Sequence, residues 1–166
     1  MIKNFLIILV ENILYKEVSH SHIVFTIPKM LRLYFKYDRS LMKYLYWSAW
    51  ESLKALSLSG NNGEGECGAI MSLHTSGSLL NFHPHIHALF LNGVVMPDGR
   101  VEELELLSKE KLESLFSSKL FCYLKEEGVL DSERIANMNS WEHSGFNVWI
   151  GEGKMVKKIF CSWQDI

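Results

Sequence analysis

Charge of one sign is in short supply in this sequence. Its 17 Lys and Arg residues against 19 Asp and Glu leave a formal net charge of −2. That balance argues against a generally basic nucleic-acid coat, so any contact with a polyanion must come from a local patch. Cysteine is scarce as well. Cys67, Cys122 and Cys161 are odd in number and widely spaced, with no Cys-x-x-Cys metal knuckle, and they read as reduced thiols of a cytoplasmic protein. Long apolar runs are missing. The stretch from Phe5 to Val10 is far shorter than the roughly 20 residues that span a bilayer, and no small-residue cleavage site follows it, so no membrane partner is expected. There is no Gly-rich phosphate loop, no internal repeat and no low-complexity tract.

What is present suffices for a core. With 166 residues, 48% of them hydrophobic, the chain is expected to form one folded domain rather than a disordered tail.

The most informative stretch is Asn81-Phe82-His83-Pro84-His85-Ile86-His87-Ala88-Leu89-Phe90-Leu91. It reads as a buried β-strand bounded by the turn signals Asn92-Gly93 and Pro97-Asp98-Gly99. Residues two apart on a strand share a face, so His85 and His87 project side by side, with His83 next in line if Pro84 leaves the strand intact. Parallel imidazoles on a stiff strand suit a divalent metal, because each neutral ring offers one nitrogen to the ion and keeps the other for a supporting hydrogen bond. The plainer alternative is a polar face on a half-exposed strand. Residues 68–74 read as a second strand, joined to the histidine strand by a short turn, and the two are expected to pair antiparallel. That pairing makes His74 the first candidate for a third ligand, with register deciding its face.

Before these strands, residues 18–27 read as a strand that ends at Pro28, which cannot donate to a sheet ladder. His20 and His22 share one of its faces, and a structural or DNA-contact role is favoured for them over a second metal pair. Residues 28–59 read as helical, with Asp38 as N-cap of the longer helix and Leu41, Leu45, Ala49, Leu53 and Leu56 at helical spacing. Lys29, Arg32, Lys36, Arg39 and Lys43 recur every three or four residues, forming one basic stripe if the helix is continuous and two if it breaks near Tyr37-Asp38. Tyr34, Phe35, Tyr37, Tyr44, Tyr46 and Trp47 interleave with them. Cations beside aromatic rings suit single-stranded DNA, although a charged stripe is also what a solvated helix face looks like. Further on, 108–127 reads as an amphipathic helix capped by Ser108 and stopped by Gly128, 131–139 as a shorter helix, 145–150 as a strand, and 155–160 as a possible last strand. The order β-α-β-β-α-α-β points to the α+β class, a mainly antiparallel sheet with helices on one face.

Three blocks in order carry a resemblance. They are Ser19-His20-Ser21-His22-Ile23-Val24-Phe25-Thr26-Ile27-Pro28-Lys29, then Gly77-Ser78-Leu79-Leu80-Asn81-Phe82-His83-Pro84-His85-Ile86-His87, then Trp141-Glu142-His143-Ser144-Gly145-Phe146-Asn147-Val148. Together they resemble the two-tyrosine rolling-circle transposases of bacterial insertion sequences, members of the HUH endonuclease superfamily, over about residues 18–150. The resemblance implies a ferredoxin-like or RNA-recognition-like core with the histidine strand central. It implies a divalent metal (Mg2+ or Mn2+) held by the histidines His85 and His87, and single-stranded or hairpin DNA at transposon ends as partner; the candidates read from the residues themselves are His74 and His83 as further ligands and Lys29, Arg32, Lys36, Arg39 and Lys43 as DNA contacts. The implied chemistry is attack of a tyrosine hydroxyl on a phosphodiester, giving a 5′-phosphotyrosine link and a free 3′-hydroxyl that can later rejoin the strand.

The sequence departs from that family pattern at both ends. The family carries a cysteine-rich zinc-binding region before the first block and a Tyr-x-x-x-Tyr helix after the last one. Here residues 1–17 read as an atypical N-terminal segment and 18–166 as a truncated HUH domain. No tyrosine follows Tyr123, which joins an apolar helix stripe and reads as core. The expectation is a transposase-domain fragment with no catalytic tyrosine, or alternatively a non-enzymatic DNA-binding module derived from one. A hydrolytic metalloenzyme is a weaker alternative, because no Asp or Glu lies near the histidine strand.

Overall fold

The computed structural model describes residues 18–60, 63–77, 81–104 and 107–152. The expectations for residues 1–17 and for a strand at 155–160 lie outside the described residues, as does Cys161.

Alternation of apolar and polar side chains builds the main sheet. In β1 (His20–Thr26), Ile23 and Phe25 turn inward while His22, Val24 and Thr26 face the other way. β2 (Ala69–Ser76) and β3 (Phe82–Leu91) form the expected antiparallel pair. In β3 the core side is Ile86, Ala88 and Phe90, fully buried, and the opposite side is His85, His87 and Leu89. β6 (Asn147–Ile150) completes the sheet in the order β2-β3-β1-β6, antiparallel at every step. The histidine strand is therefore interior.

The helices cover the inward face. Pro28, with its fixed φ of −53°, closes β1 and opens α1 (Lys29–Tyr37). The helix does not run on through residue 59. It breaks at Asp38, whose carboxylate accepts from the backbone N–H of Ser40 at 2.9 Å and caps a 3-10 turn (Arg39–Leu41) leading into α2 (Met42–Leu58). Asp38 thus caps the turn before the long helix rather than the helix itself. Leu41, Leu45, Ala49 and Leu53 are buried as their spacing predicts, and Leu56 is half-buried. α3 (Lys109–Glu126) starts at Ser108, whose hydroxyl accepts from the N–H of Lys111, and stops before Gly128 at φ +69°. α4 (Ser132–Asn139) is capped by Asp131 in the same way.

Leu112, Phe116, Leu120 and Leu124 of α3 join Leu31, Phe35, Leu45 and Leu53 of the first two helices over Ile23, Phe25, Ile86, Phe90 and Val148 of the sheet. Each such burial contributes about 1.5–3 kcal/mol. The α+β layout is the expected one, with one addition. Residues 93–103 fold into a two-stranded ribbon, β4 (Gly93–Val95) against β5 (Val101–Glu103), so the predicted turn at 96–100 joins two strands instead of leading straight to a helix. Among the described residues, no helix is long and apolar enough to cross a membrane.

Candidate metal centre on the open face of the sheet

Because the helices occupy one face of the sheet, the outward residues of four strands form a second, open face. Register places them in rows. His74 pairs with His85, which pairs with Thr26, which pairs with Asn147; the next row is Ser72, His87, Val24 and Trp149. Strand-mates two apart then bring His74, His85 and His87 together. One ring nitrogen from each lies within 4.8 Å of the others, and the ring centroids of His74 and His85 are each less than 5 Å from that of His87, at 4.5 Å and 4.9 Å. Nitrogens about 2 Å from a common ion stand roughly 3 Å apart, a gap that small side-chain rotations close. His74 is exposed and the other two are half-buried, so the cluster opens to solvent on one side.

Hydrogen bonds select which nitrogen of each β3 histidine is free. His85 donates its Nδ1–H to the carbonyl of His83 at 2.6 Å, because a carbonyl can only accept. Its Nε2 lone pair is left for the cluster. The Nδ1 of His87 is taken by the Nε2 of His22, 2.8 Å away. His87 is also held neutral. Desolvation first, and then repulsion from His74, His85 and His22, pushes its pKa down to about 4, so the ring keeps its one nitrogen lone pair well below neutral pH. The donor set therefore fits a divalent ion.

His83 does not belong to this cluster. Its ring lies 5.3 Å from that of His85, but its contribution there is the backbone carbonyl. Burial and then the Arg32 guanidinium lower its pKa. His20 is buried at 3% exposure, away from the cluster. His22 is the contact that sequence reasoning missed. The alternation of β1 placed it on the open face, but only the pairing of β1 with β3, 65 residues apart, sets it against His87.

The break at Asp38 divides the basic stripe. Arg32 donates its Nε–H to the carbonyl of Ile27 and lies near enough to His83 to lower its pKa. The guanidinium of Arg39 sits 4.6 Å over the ring of Phe82, the first residue of β3. These two cations stand at the histidine end of the sheet. Lys29 and Lys36 are exposed on α1. Lys43 lies over the rings of Tyr44 and Trp47, at 4.7 Å and 5.9 Å, on the helical side of the molecule. Tyr123 is on that side too, stacked on Tyr44 at 5.1 Å and donating to Glu51. That hydrogen bond, followed by desolvation, pushes its hydroxyl up to about 12, the opposite of what an attacking phenolate needs.

Comparison with known proteins gives the same direction. The model of a family described as "Putative transposase" matches residues 68–153, slightly more than half of the chain. A protein of Sinorhizobium fredii (strain NBRC 101917 / NGR234), "Putative transposase y4qJ", is 31% identical over 84 residues, covering 50% of this chain and 21% of that protein. Among solved structures, the conjugative relaxase TrwC with oriT DNA in its metal-free form superposes with a TM-score of 0.55 at 14% identity, over 78% of this chain and 49% of that one. TrwC with a 27-mer DNA comprising the recognition hairpin and the cleavage site gives 0.51 at 13%, over 87% and 57%. The chain thus spans about a fifth of its curated relative and about half of the relaxase structures. The likeness to the relaxases is one of fold, with the histidine strand interior in the sheet, and the chain belongs to the transposase family whose model it matches.

Proposed function

We propose that this chain is the metal- and DNA-binding part of a transposase, acting on single-stranded or hairpin DNA at transposon ends. The observation that carries the proposal is the convergence of His74, His85 and His87 on an open sheet face, with the Nδ1 atoms of the two β3 histidines already engaged. A divalent ion held by these three residues supplies Lewis acidity to a phosphodiester oxygen. An all-imidazole donor set favours a transition ion such as Mn2+ over Mg2+, which prefers oxygen ligands. Arg32 and Arg39 flank the same end of the sheet and track phosphates. Trp149, 51% exposed on the same face, offers a ring on which a base stacks. In support, a relaxase neighbour of the same fold is a copper-bound complex with oriT DNA.

Tyr123 is not the downstream attacking tyrosine that the resemblance implies. Tyr123 is tied to Glu51 on the far side of the sheet, and no tyrosine follows it. The 166 residues on their own are expected to bind metal and DNA without forming a phosphotyrosine link. The same location of Tyr123 favours the second reading, a non-enzymatic module that occupies transposon ends.

Metal-free protein titrated with Mn2+ is expected to gain thermal stability, and the double variant His85→Ala/His87→Ala to gain none. A fluorescent single-stranded hairpin is expected to bind with an affinity that falls as salt rises. Stabilisation that survives the double substitution overturns the metal assignment. A protein-linked DNA band after incubation with hairpin and Mn2+ overturns the expectation that no phosphotyrosine link forms.

A further inference from the structure

We infer that His22 is a positioning residue that locks the tautomer of His87 and so determines which nitrogen His87 turns to the cluster. The inference deepens the metal-binding proposal and rests on it for its consequence, though not for its geometry.

The His22 Nε2 to His87 Nδ1 distance is 2.8 Å, and the two ring planes differ by 16° with centroids 5.0 Å apart. That separation is close to the nitrogen–nitrogen distance plus the two distances from centroid to nitrogen. The rings therefore lie edge to edge in nearly one plane, the geometry of a straight N–H···N bond rather than of stacking. One proton lies between the two nitrogens, and its position has opposite effects. If His22 donates, neutral His87 carries its own proton on Nε2, and that atom is closed to an ion. If His87 donates, its Nε2 lone pair is free.

The neighbouring ligand indicates which arrangement the site uses. His85 donates Nδ1–H to a carbonyl and leaves Nε2 free. His22 does for His87 what the His83 carbonyl does for His85, and both β3 histidines then present the same nitrogen on the same face. His22 is held for this task. The N–H of Gly151 donates to the His22 carbonyl at 2.8 Å, fixing the backbone, and Trp149 packs edge-on against the His22 ring at 5.5 Å and 77°. A Cβ at Gly151 would come within 2.7 Å of the Trp149 ring, so glycine there lets the indole lie against His22. The proton chemistry balances without a co-reactant. His87 keeps its proton on Nδ1, shared with the His22 Nε2 lone pair, and no proton has to leave Nε2 when an ion arrives. Outer hydrogen-bond partners of this type typically change metal affinity about 10- to 100-fold.

The test uses the full chain labelled with 15N-histidine. Long-range proton–nitrogen correlation spectra of the metal-free protein report the His87 tautomer directly, and Mn2+ affinity is measured in parallel. The expected result is Nδ1–H on His87 in the wild type. In His22→Phe the proton moves to Nε2 and Mn2+ binds about 10- to 100-fold more weakly. His22→Gln, which restores an acceptor, recovers most of both. Nε2–H on His87 in the wild type overturns the inference, as does an unchanged Mn2+ affinity in His22→Phe. If His22→Phe does not fold, the wild-type tautomer and the His22→Gln affinity still decide. A wild type that shows Nδ1–H on His87 but binds no Mn2+ upholds the lock and overturns the metal proposal instead.

Discussion

The histidines of this molecule lie in two different settings, one on the open face of the sheet and one buried near the start of β1. On the open face His74, His85 and His87 are grouped where solvent can reach them. His20, on the same strand as His22, is buried, and among the described residues its Nδ1 has no hydrogen-bond partner. Burial lowers its pKa, opposed by a backbone hydrogen bond with Val18. A histidine whose folded pKa lies below the ordinary 6.5 binds fewer protons folded than unfolded. Its contribution to stability is full above the unfolded pKa and is lost as the pH falls toward the folded one. The urea midpoint of metal-free protein is therefore expected to drop between pH 7.5 and pH 5.5, and His20→Phe to flatten that drop. An equal drop in the variant would place the titrating group elsewhere. His87, pushed down to about 4, and His22 and His83, both lowered by desolvation, leave part of the slope in place.

At the level of elements, local rules wrote most of the boundaries. Ser108→Ala removes the cap of α3 and is expected to cost about 1 kcal/mol in urea unfolding, whereas Ser118→Ala, exposed on the same helix, should stay within about 0.5 kcal/mol. The cap Ser108 and the stop at Gly128 were legible because capping is a matter of three or four neighbouring residues, while Asp131, read as the first residue of its helix, proves to be its cap. So was the alternation of β3 that puts His85 and His87 on one face. The ribbon β4–β5 was not, since three-residue strands are too short to show a period. His74 could be nominated from a short turn, yet only the pairing register sets it opposite His85. The partnership of His22 with His87 lies further from the sequence still, because strands distant in the chain meet through packing of the whole sheet.

At the level of the whole molecule, the hydrophobic core and the proposed metal site occupy opposite faces of one sheet. Phe116, fully buried against Phe25 at 5.0 Å and Phe146 at 5.8 Å, belongs to the face that holds the fold. Phe116→Ala is expected to cost about 3–5 kcal/mol. His85→Ala, on the other face, should change the stability of the metal-free protein by less than about 1 kcal/mol. Equilibrium unfolding of the two variants checks the division, and a large loss in His85→Ala would refute it.

The order β2-β3-β1-β6 has a mechanical side. His85 and His87 stand on an interior strand, clamped by neighbours on both edges, while His74 stands on β2, whose only described ladder partner is β3 and whose pairing is already irregular between His74 and Ser76. The three nitrogens thus join a stiff strand to a loose border. An ion bound there works as a rivet through the rim of the sheet. Where it is bound, the amides of β2 exchange with solvent more slowly, and where it departs the rim is free to peel while the interior strands stay closed.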